Sequence, residues 1–447
     1  CALPIFGGAR LPYSTGDWYW IPSRALPGEA ITEFPFFTFL YADPHAHLFA
    51  LPLTMLALGW CLSVVFGKWQ WGENDRQQGL SFFLTLIVGG LVIGVLRPTN
   101  TWDMPTYLGL GVSALFYSAL RHASWLNSRL PRVPNWIKRL VLAIISTVIL
   151  TGISFLLFIP YMQWYAQGYG SVDWWEGSRS PVASYLTHWG LFFFVIASWL
   201  VYETIDWMAN TPISALKKLR PWQFWIYSAL AAYLLAVVLL NVALGVEIAF
   251  YPLTLAGWSL ILLLRPGQPD SKRVVLFLIG TAATLTLMVE VVVLVGDIGR
   301  MNTVFKFYLQ AWNLFAIGSA VSLGWLLPAI ERGWRSGWKG VWQFIFTALL
   351  VSALLYPLMA GAAKVRDRMS TIAPHGLDGM VYMQTSEYSD QGRTMDLSQD
   401  YRAIRWMQEN VQGSPVIAEA NTPLYRWGSR YSIYTGLPTI IGWDWHQ

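Results

Sequence analysis

Long apolar stretches alternate with short polar segments along most of the chain. Each stretch is close to the ~20 residues with which an α-helix crosses a bilayer. A segment surrounded by lipid must be helical, because its backbone then satisfies its own hydrogen bonds. The pattern predicts ten spans, at residues 47–66, 79–96, 104–120, 140–160, 187–204, 222–240, 248–265, 274–296, 307–328 and 341–360. We therefore expect an all-α polytopic membrane protein.

The segment after residue 360 is polar and follows a different pattern. Asp396 followed by Gln399 is typical of a helix N-terminus and predicts a helix over 397–411. The run PVIAEA (415–420) predicts a strand, so a small α/β domain begins here. The predicted divisions are an extracytoplasmic loop 1–46, a transmembrane domain 47–360 and an extracytoplasmic α/β segment 361–447.

Composition and charge agree with a membrane protein and fix a predicted orientation. The chain has 55% hydrophobic and only 12% charged residues, too few charges for an ordinary soluble domain. Alternate loops carry 16 and 6 Lys and Arg residues, and the richer set is predicted to be cytoplasmic. This placement explains the net charge of +5 and excludes a nucleic-acid partner. The poorer loops and the tail are expected outside the cell membrane.

Both ends of the sequence indicate a piece of a longer protein. The chain begins with Cys1 instead of Met, and it stops at Gln447 before the small α/β domain has a complete core. The second cysteine, Cys61, lies inside an apolar run, so the two cysteines predict no disulfide framework.

The first polar motif, DPHAH, lies just before the first predicted span. Asp43, His45 and His47 alternate there, and carboxylate and imidazole groups at such positions can share a proton or bind a divalent cation. Asp43 and His47 would be the metal ligands, with Mg²⁺ or Mn²⁺ as the cation. Two His at this spacing are not a zinc signature. The alternative is an interfacial turn in contact with headgroups, but Asp and His at a span entrance favour function.

The second motif, RPTNTWDMP, joins two predicted spans. Arg97, Asn100 and Asp103 crowd a very short connection and suggest a polar pocket. The competing interpretation is local: Asp103 suits the N-cap of the next helix, Pro105 suits its first turn, and Arg97 suits an interfacial anchor.

The third motif, DIGRMNTVFK, contributes Asp297, Arg300, Asn302 and Lys306 at the mouth of two spans. Arg can hold a phosphate by paired hydrogen bonds and Lys as a point charge. The alternative for each is anchoring at the level of the headgroups. We also note Glu290, a carboxylate in an apolar run, which is either functional or a hydrogen-bonded packing residue.

An aromatic loop at 161–186 separates two of these motifs. Trp164, Tyr169, Trp174 and Trp175 lie there among acidic residues. An aromatic belt at the membrane interface is the default interpretation. A surface that binds sugar or lipid is the sharper alternative.

Four blocks carry a resemblance to a known family: EFPFFTFLYADPHAH (33–47), RPTNTWDMPTY (97–107), RMNTVFKFYLQAW (300–312) and YSIYTGLPTIIGWDWHQ (431–447). They resemble the YYY-type multi-pass membrane proteins, a domain of unknown function grouped with the GT-C glycosyltransferase superfamily. The resemblance implies further spans upstream of residue 1 and a longer α/β domain beyond residue 447.

GT-C enzymes transfer sugars from polyprenyl-phosphate donors, typically with an acidic residue in the first outward loop. By position, Asp43 and Glu33 match that loop in this chain. In the usual pattern the acid follows the preceding span, whereas Asp43 adjoins the next one.

The function we expect is GT-C-like transfer of a sugar from a lipid phosphate to an acceptor hydroxyl. Asp43 would be the base or a metal ligand, with His45 and His47 orienting it. The remaining groups would bind the phosphate and complete the pocket: Arg97, Asn100, Asp103, Asp297, Arg300, Asn302 and Lys306. The expected partners are membrane lipids and the polyprenyl-phosphate donor. The alternatives are a non-catalytic subunit of a larger membrane complex and a transporter.

Overall fold

The structure, a computed structural model, describes residues 14–68, 75–123, 132–165, 170–423 and 426–440. Cys1, Tyr169 and the end of the last motif block (441–447) lie outside the described residues. The structure is 71% helical, and within these ranges eight helices are long and apolar enough to cross a membrane. The predicted class, an all-α polytopic membrane protein, is confirmed.

The chain divides into two compact units, Cys1–Gly361 and Ala362–Gln447. In chain order the helices are α1 (Asp17–Trp20), α2 (Pro35–Tyr41), α3 (Ala46–Phe66), α4 (Asp75–Gly94), α5 (Leu96–Asn100), α6 (Met104–His122), α7 (Asn135–Leu156), α8 (Ile159–Trp164), α9 (Val182–Ala209), α10 (Gln223–Val238), α11 (Phe250–Leu263), α12 (Asp270–Met288), α13 (Met301–Gly333), α14 (Ser336–Arg368), α15 (Leu397–Asn410) and α16 (Arg430–Thr435). The strands are β1 (Val172–Trp174), β2 (Val292–Leu294), β3 (Glu387–Asp390) and β4 (Arg393–Asp396).

Two predicted spans, 79–96 and 104–120, belong to one helical stretch, Gly79–His122. The stretch folds back on itself through α5 and a short 3₁₀ turn, Thr101–Asp103. A Cβ added to Gly111 would lie 2.9 Å from the Ile93 side chain. In a straight helix these residues would be about 27 Å apart. The RPTNTWDMP segment is therefore the turn of a helical hairpin.

The predicted span 274–296 extends past the C-terminal end of the helix in the structure. Helix α12 stops at Met288, and residues 292–294 form β2, which pairs antiparallel with β1. The reason is local, because the run of Val residues suits a strand as well as a buried helix, and β1 offers a pairing partner. The span predicted at 248–265 is the shorter apolar helix α11.

Close helix packing in the first unit depends on small residues. Gly89 of α4 faces Trp60 of α3, and a Cβ at position 89 would lie 2.3 Å from the indole ring. The indole N–H donates to the Thr85 carbonyl at 2.9 Å. Inside a bilayer such small residues let helices approach each other closely. The core around them contains several fully buried large side chains, among them Trp189, Trp199, Tyr107, Tyr185 and Tyr308.

The helix ends of the first unit form two polar regions. The motif end consists of residues 33–47, 97–105, 172–180, 241–247 and 290–306, and the basic end of residues 117–122, 132–139, 203–210, 264–273 and 332–339. Contacts between segments hold each region together: β1 pairs with β2 at the motif end, and Asp270 contacts His122 at the basic end. Helices of about 20 residues separate the regions by about 30 Å.

The second unit contains the hairpin of β3 and β4 followed by α15. Asp396 caps α15 through a hydrogen bond from the Ser398 N–H at 2.9 Å, as the sequence predicted. The run predicted as a strand at 415–420 forms a single bridge, between Ile417 and Thr439. A small core of Met380, Met383, Leu397 and Ile404 supports these elements.

Candidate functional site

The segment between Glu33 and His47 is folded by one short helix and one tight turn. Helix α2 begins at Pro35, where the fixed φ of proline suits a first turn, and ends at Ala42 in the left-handed conformation (φ 56°). The chain then reverses and α3 begins at Ala46. This reversal brings the side chain of Glu33 back to that of His47.

Four side chains form a continuous polar chain in this segment. His45 Nδ1 and His47 Nδ1 are 2.8 Å apart, and His47 Nε2 lies 3.5 Å from Glu33 Oε2. Arg24 Nη1 lies 3.4 Å from Glu33 Oε1. We call this Arg24–Glu33–His47–His45 arrangement the histidine chain. In the histidine chain, His47 is buried and His45 is exposed, so the arrangement connects the interior with the surface. Asp43, two residues before His45 in the motif, is also exposed.

Burial sets the protonation of the acid in the histidine chain. It raises the pKa of Glu33 to about 7, although the attraction of Arg24 opposes the shift. Burial also lowers the pKa of His45, while the nearby Asp43 carboxylate acts in the opposite direction. Glu33 therefore changes charge near neutral pH, in contact with a neutral imidazole.

Lys306 joins the helical hairpin to the same region. Its ammonium donates to Asn100 Oδ1 at 3.0 Å, and Asn100 Nδ2 donates to Asp103 Oδ1 at 3.0 Å. The centre of the neighbouring Phe305 ring lies 4.5 Å from the centre of the His47 ring. Within the described ranges no carboxylate lies within ion-pair distance of the ammonium. Lys306 is thus a half-buried cation, held by an amide and adjacent to the histidine chain.

Asp103 does not cap α6. Its carboxylate makes no hydrogen bond to the backbone of that helix and is 1% exposed beside Asn100. One of its oxygens, Oδ2, has no hydrogen-bond partner within the described residues. Beyond it, the Tyr107 hydroxyl donates to Gln310 Oε1 at 2.8 Å. Of the two interpretations of Asp103, a member of a polar pocket therefore describes its position better than an N-cap does.

Arg300 lies in a separate buried cluster. Its guanidinium contacts Glu290 Oε1 at 2.6 Å, Ser180 Oγ at 3.0 Å and the Val289 carbonyl at 3.1 Å. Ser180 also donates its N–H and hydroxyl to Glu290. Arg300 is 5% exposed, so these partners occupy it. The cluster holds the β1–β2 pair against the start of α13 and leaves no open guanidinium for a phosphate.

Asp297 and Asn302 form the N-terminal cap of α13. Asp297 accepts hydrogen bonds from the N–H groups of Asn302 and Thr303, at 3.0 and 2.7 Å, and from both of their side chains. A carboxylate in this position satisfies backbone donors that would otherwise be unpaired. These two candidates fix the direction of α13, and with it the position of Lys306.

Arg97 and the aromatic loop face other surroundings. The Arg97 guanidinium lies 5.4 Å from the centre of the Phe155 ring, an arrangement that suits an interfacial anchor. In the loop, Trp164 is 87% exposed and Trp174 is 70% exposed. The centre of the Trp175 ring instead lies 5.8 Å from the guanidinium carbon of Arg300.

Of the residues predicted from the sequence, the structure brings one group together. Its members are Glu33, Asp43, His45, His47, Asn100, Asp103 and Lys306.

The expected divalent cation finds few ligands here. Among the residues that the structure describes, no group of three or more His, Cys, Asp and Glu side chains could hold a metal ion. The Nδ1 atoms of His45 and His47 face each other at hydrogen-bond distance, a geometry that suits a shared proton. The donor set therefore fits a hydrogen-bonded chain better than a metal site.

Sequence reasoning missed two members of the site. Arg24 lies outside the polar motifs, nine residues before its ion-pair partner Glu33. Gln310 gave no signal, because an isolated polar residue in a span has many explanations. The contact between Lys306 and Asn100 joins residues 206 positions apart, and a single sequence does not show such a pairing.

Comparisons with known proteins identify one family. No curated protein and no solved structure matches the chain. The model of the family described as Uncharacterized membrane protein (DUF2298) matches residues 4–315, which is more than half of the chain, and the chain therefore belongs to that family of membrane proteins.

Proposed function

We propose that this membrane protein is a GT-C-like glycosyltransferase that moves a sugar from a polyprenyl-phosphate donor to an acceptor hydroxyl. In this proposal the motif end faces out of the cell, as the distribution of basic residues indicates. The main support for this proposal is the environment of Lys306. This side chain is a half-buried cation at the mouth of a membrane span, with an amide and no carboxylate as its partner among the described residues. A lipid-linked phosphate supplies the missing negative charge at that depth.

The reaction is a displacement at the anomeric carbon of the donor sugar. The acceptor oxygen forms a bond to this carbon, and the bond from the carbon to the phosphate oxygen breaks with its electron pair on the phosphate. Lys306 stabilises the charge that develops on the leaving phosphate, an effect that is large where water is excluded. The proton of the acceptor hydroxyl passes to a base on the protein.

The histidine chain supplies that base. When Glu33 is ionised, its carboxylate lies 3.5 Å from His47 Nε2 and favours the tautomer of His47 with the proton on that nitrogen. His47 Nδ1 then accepts the Nδ1–H of His45. The Nε2 lone pair of His45 is left free on the exposed side of the chain. The Asp43 carboxylate is close enough to favour the positively charged imidazole by electrostatics. In this assignment His45 takes the proton, and Asp43, the base expected from the sequence, stabilises the imidazolium.

A non-catalytic subunit of a larger assembly is the second candidate, and one observation favours it. Helix α10 has no buried residue, and apart from the side on which Tyr233 shares a hydrogen bond with Thr254 of α11, its surface is open to lipid or to another protein. The subunit hypothesis, however, gives no reason for a cation without a carboxylate partner beside two linked imidazoles.

Binding of polyprenyl phosphate to the full chain in nanodiscs tests the proposal. Lys306→Gln should weaken binding at least about tenfold, since a hydrogen bond to a charged group is lost. Lys339→Gln is the matched control, because Lys339 lies at the basic end in a pair with Glu331. Equal affinities of the two variants would contradict the role of Lys306. The folded wild-type chain would also be tested with a panel of polyprenyl-phosphate sugars. If it transferred sugar from none of them, the proposed glycosyltransferase activity would be wrong.

A further inference from the structure

A cleft opens between two pairs of helices near the basic end of the first unit. One wall is formed by α3 and α6, and the other by α11 and α12. The space within the cleft and at its open mouth together is about 730 Å³. The lining is almost entirely apolar, with side chains such as Leu58, Leu62, Ala114 and Phe277, and Arg273 and Tyr117 supply the polar groups at one end.

The cleft is a consequence of how these helices are joined. The α3 wall is tightly bound to α6, where Ser118 Oγ donates to the Val64 carbonyl at 3.0 Å. The two walls meet at the basic end, where the Tyr117 hydroxyl donates to Asp270 at 2.5 Å and His122 contacts the same carboxylate at 2.9 Å. These contacts fix the walls on one side and leave the apolar surfaces beside them apart.

The charges at the closed end are unequal. Asp270 is engaged by Tyr117 and His122, and Arg121 lies 3.7 Å from it. Arg273 instead donates to two backbone carbonyls, those of Gln268 and Arg265, both at 3.1 Å. Within the described residues Arg273 has no carboxylate within ion-pair distance. The end of the cleft therefore carries two guanidinium groups against one carboxylate.

We propose that this cleft binds an anionic phospholipid, with an acyl chain between the helix walls and the phosphate beside Arg273. The apolar lining matches a hydrocarbon chain, and the excess positive charge at one end matches an anionic headgroup. A second protein helix suits the charge poorly, and a free phosphate would leave the apolar part of the cleft empty. The site is independent of the glycosyltransferase proposal, because it lies at the opposite end of the helices from Lys306.

The test compares lipids that share acyl chains and differ in headgroup. Retention of phosphatidylglycerol and phosphatidylcholine by the purified full chain in detergent would be measured by native mass spectrometry. We expect phosphatidylglycerol to bind more tightly, and Arg273→Gln to weaken it about fivefold, the effect of one basic residue near an anionic lipid. Arg273→Lys should keep most of the preference. Glycerol phosphate, which lacks the tail, should not compete.

Two further variants separate the cleft from general surface charge. Ser113→Phe places a ring in the cleft, where Ser113 is one of the lining residues, and should reduce retention of both lipids. Arg332→Gln removes an exposed charge at the same end and should change nothing. Equal losses for Arg273→Gln and Arg332→Gln would overturn the proposal, as would competition by glycerol phosphate. If Ser113→Phe does not fold, the Arg273→Gln and Arg273→Lys pair still decides the question.

Discussion

The two ends of the helical unit both contain charged side chains, yet they use them differently. At the basic end each described carboxylate has a cationic partner: Glu203 contacts Lys272 at 2.5 Å, and Asp206 contacts Arg265 at 3.0 Å. Among the described residues of the motif end, Glu290 is paired in this way with Arg300 at 2.6 Å, and Glu33 lies at the longer distance of 3.4 Å from Arg24. Lys306 is held by an amide, and Glu33 shares its charge between Arg24 and an imidazole.

The difference shows which charges indicate function. A paired charge is satisfied by the fold, whereas a half-buried cation without a carboxylate needs an external anion or a strong structural reason. By this criterion Arg300 belongs with the structural charges of the basic end, although it lies six residues from Lys306 in the same motif. The four predictions below test this division between structural and functional charges.

The largest effect is expected at the exposed end of the histidine chain. His45→Gln removes the proposed base and should lower the rate of sugar transfer by about 10²–10⁴-fold, the usual contribution of a general base. Unfolding temperature should change little, because His45 is exposed. A variant with the wild-type rate would exclude His45 as the base. His375→Gln in the second unit is the control, and we expect it to behave as wild type.

Breaking the buried ion pair should affect stability instead of chemistry. Arg300→Met leaves Glu290, which is fully buried, without its cation and should reduce the free energy of unfolding by about 3–5 kcal/mol. Thermal unfolding of the detergent-solubilised chain measures this loss. The variant that remains folded should still bind polyprenyl phosphate. Loss of binding with an unchanged unfolding temperature would place Arg300 in the functional group.

The pH dependence of transfer should follow the ionisation of Glu33. Its folded pKa of about 7 means that the carboxyl is protonated below pH 7, and His45 then holds the tautomer without a free Nε2. The rate should rise about tenfold per pH unit below 7 and level off above it. Glu33→Gln should remove this inflection. Glu29→Gln, a change at an exposed carboxylate nearby, should retain it.

The smallest effect is expected for an exposed pair at the basic end. Lys339 and Glu331 lie within 2.5 Å of each other, but the Glu331 side chain is 59% exposed. Lys339→Gln should change the free energy of unfolding by about 1 kcal/mol or less, because water screens such pairs. Chemical denaturation would detect a larger loss, and that result would show that the basic end depends on its surface charges.

The arrangement of helices could be predicted from sequence because a bilayer imposes a minimum length of apolar residues. The same criterion fails where geometry departs from a straight crossing. The hydrophobic pattern predicted two spans joined by a short connection at residues 97–105, and α4 and α6 form that hairpin. It did not reveal that Val292–Leu294 leaves the helix to pair with β1. Hydrophobicity measures affinity for lipid, and a longer helix and a paired strand would both keep residues 292–294 out of water.

The candidate site was predictable only where its residues are close in sequence. Asp43, His45 and His47 fall in one motif, and the pattern suggested a shared proton. Two nearby cations, in contrast, have partners on distant elements. Lys306 donates to Asn100, which is 206 positions away, and Arg300 donates to Ser180, which is 120 positions away. Local sequence gives both cations the same chemistry, and only the packing of α13 against its neighbours assigns them different roles.

The contact between Gly89 and Trp60 has a consequence far from its own position. Trp60 is about 20 Å along α3 from His47, and Pro52 lies in the helix between them. A methyl group at position 89 would overlap the indole ring, so the ring would have to move or the two helices would have to separate. The absence of a side chain at position 89 therefore lets α4 lie close against α3, the helix that carries His47 near its other end.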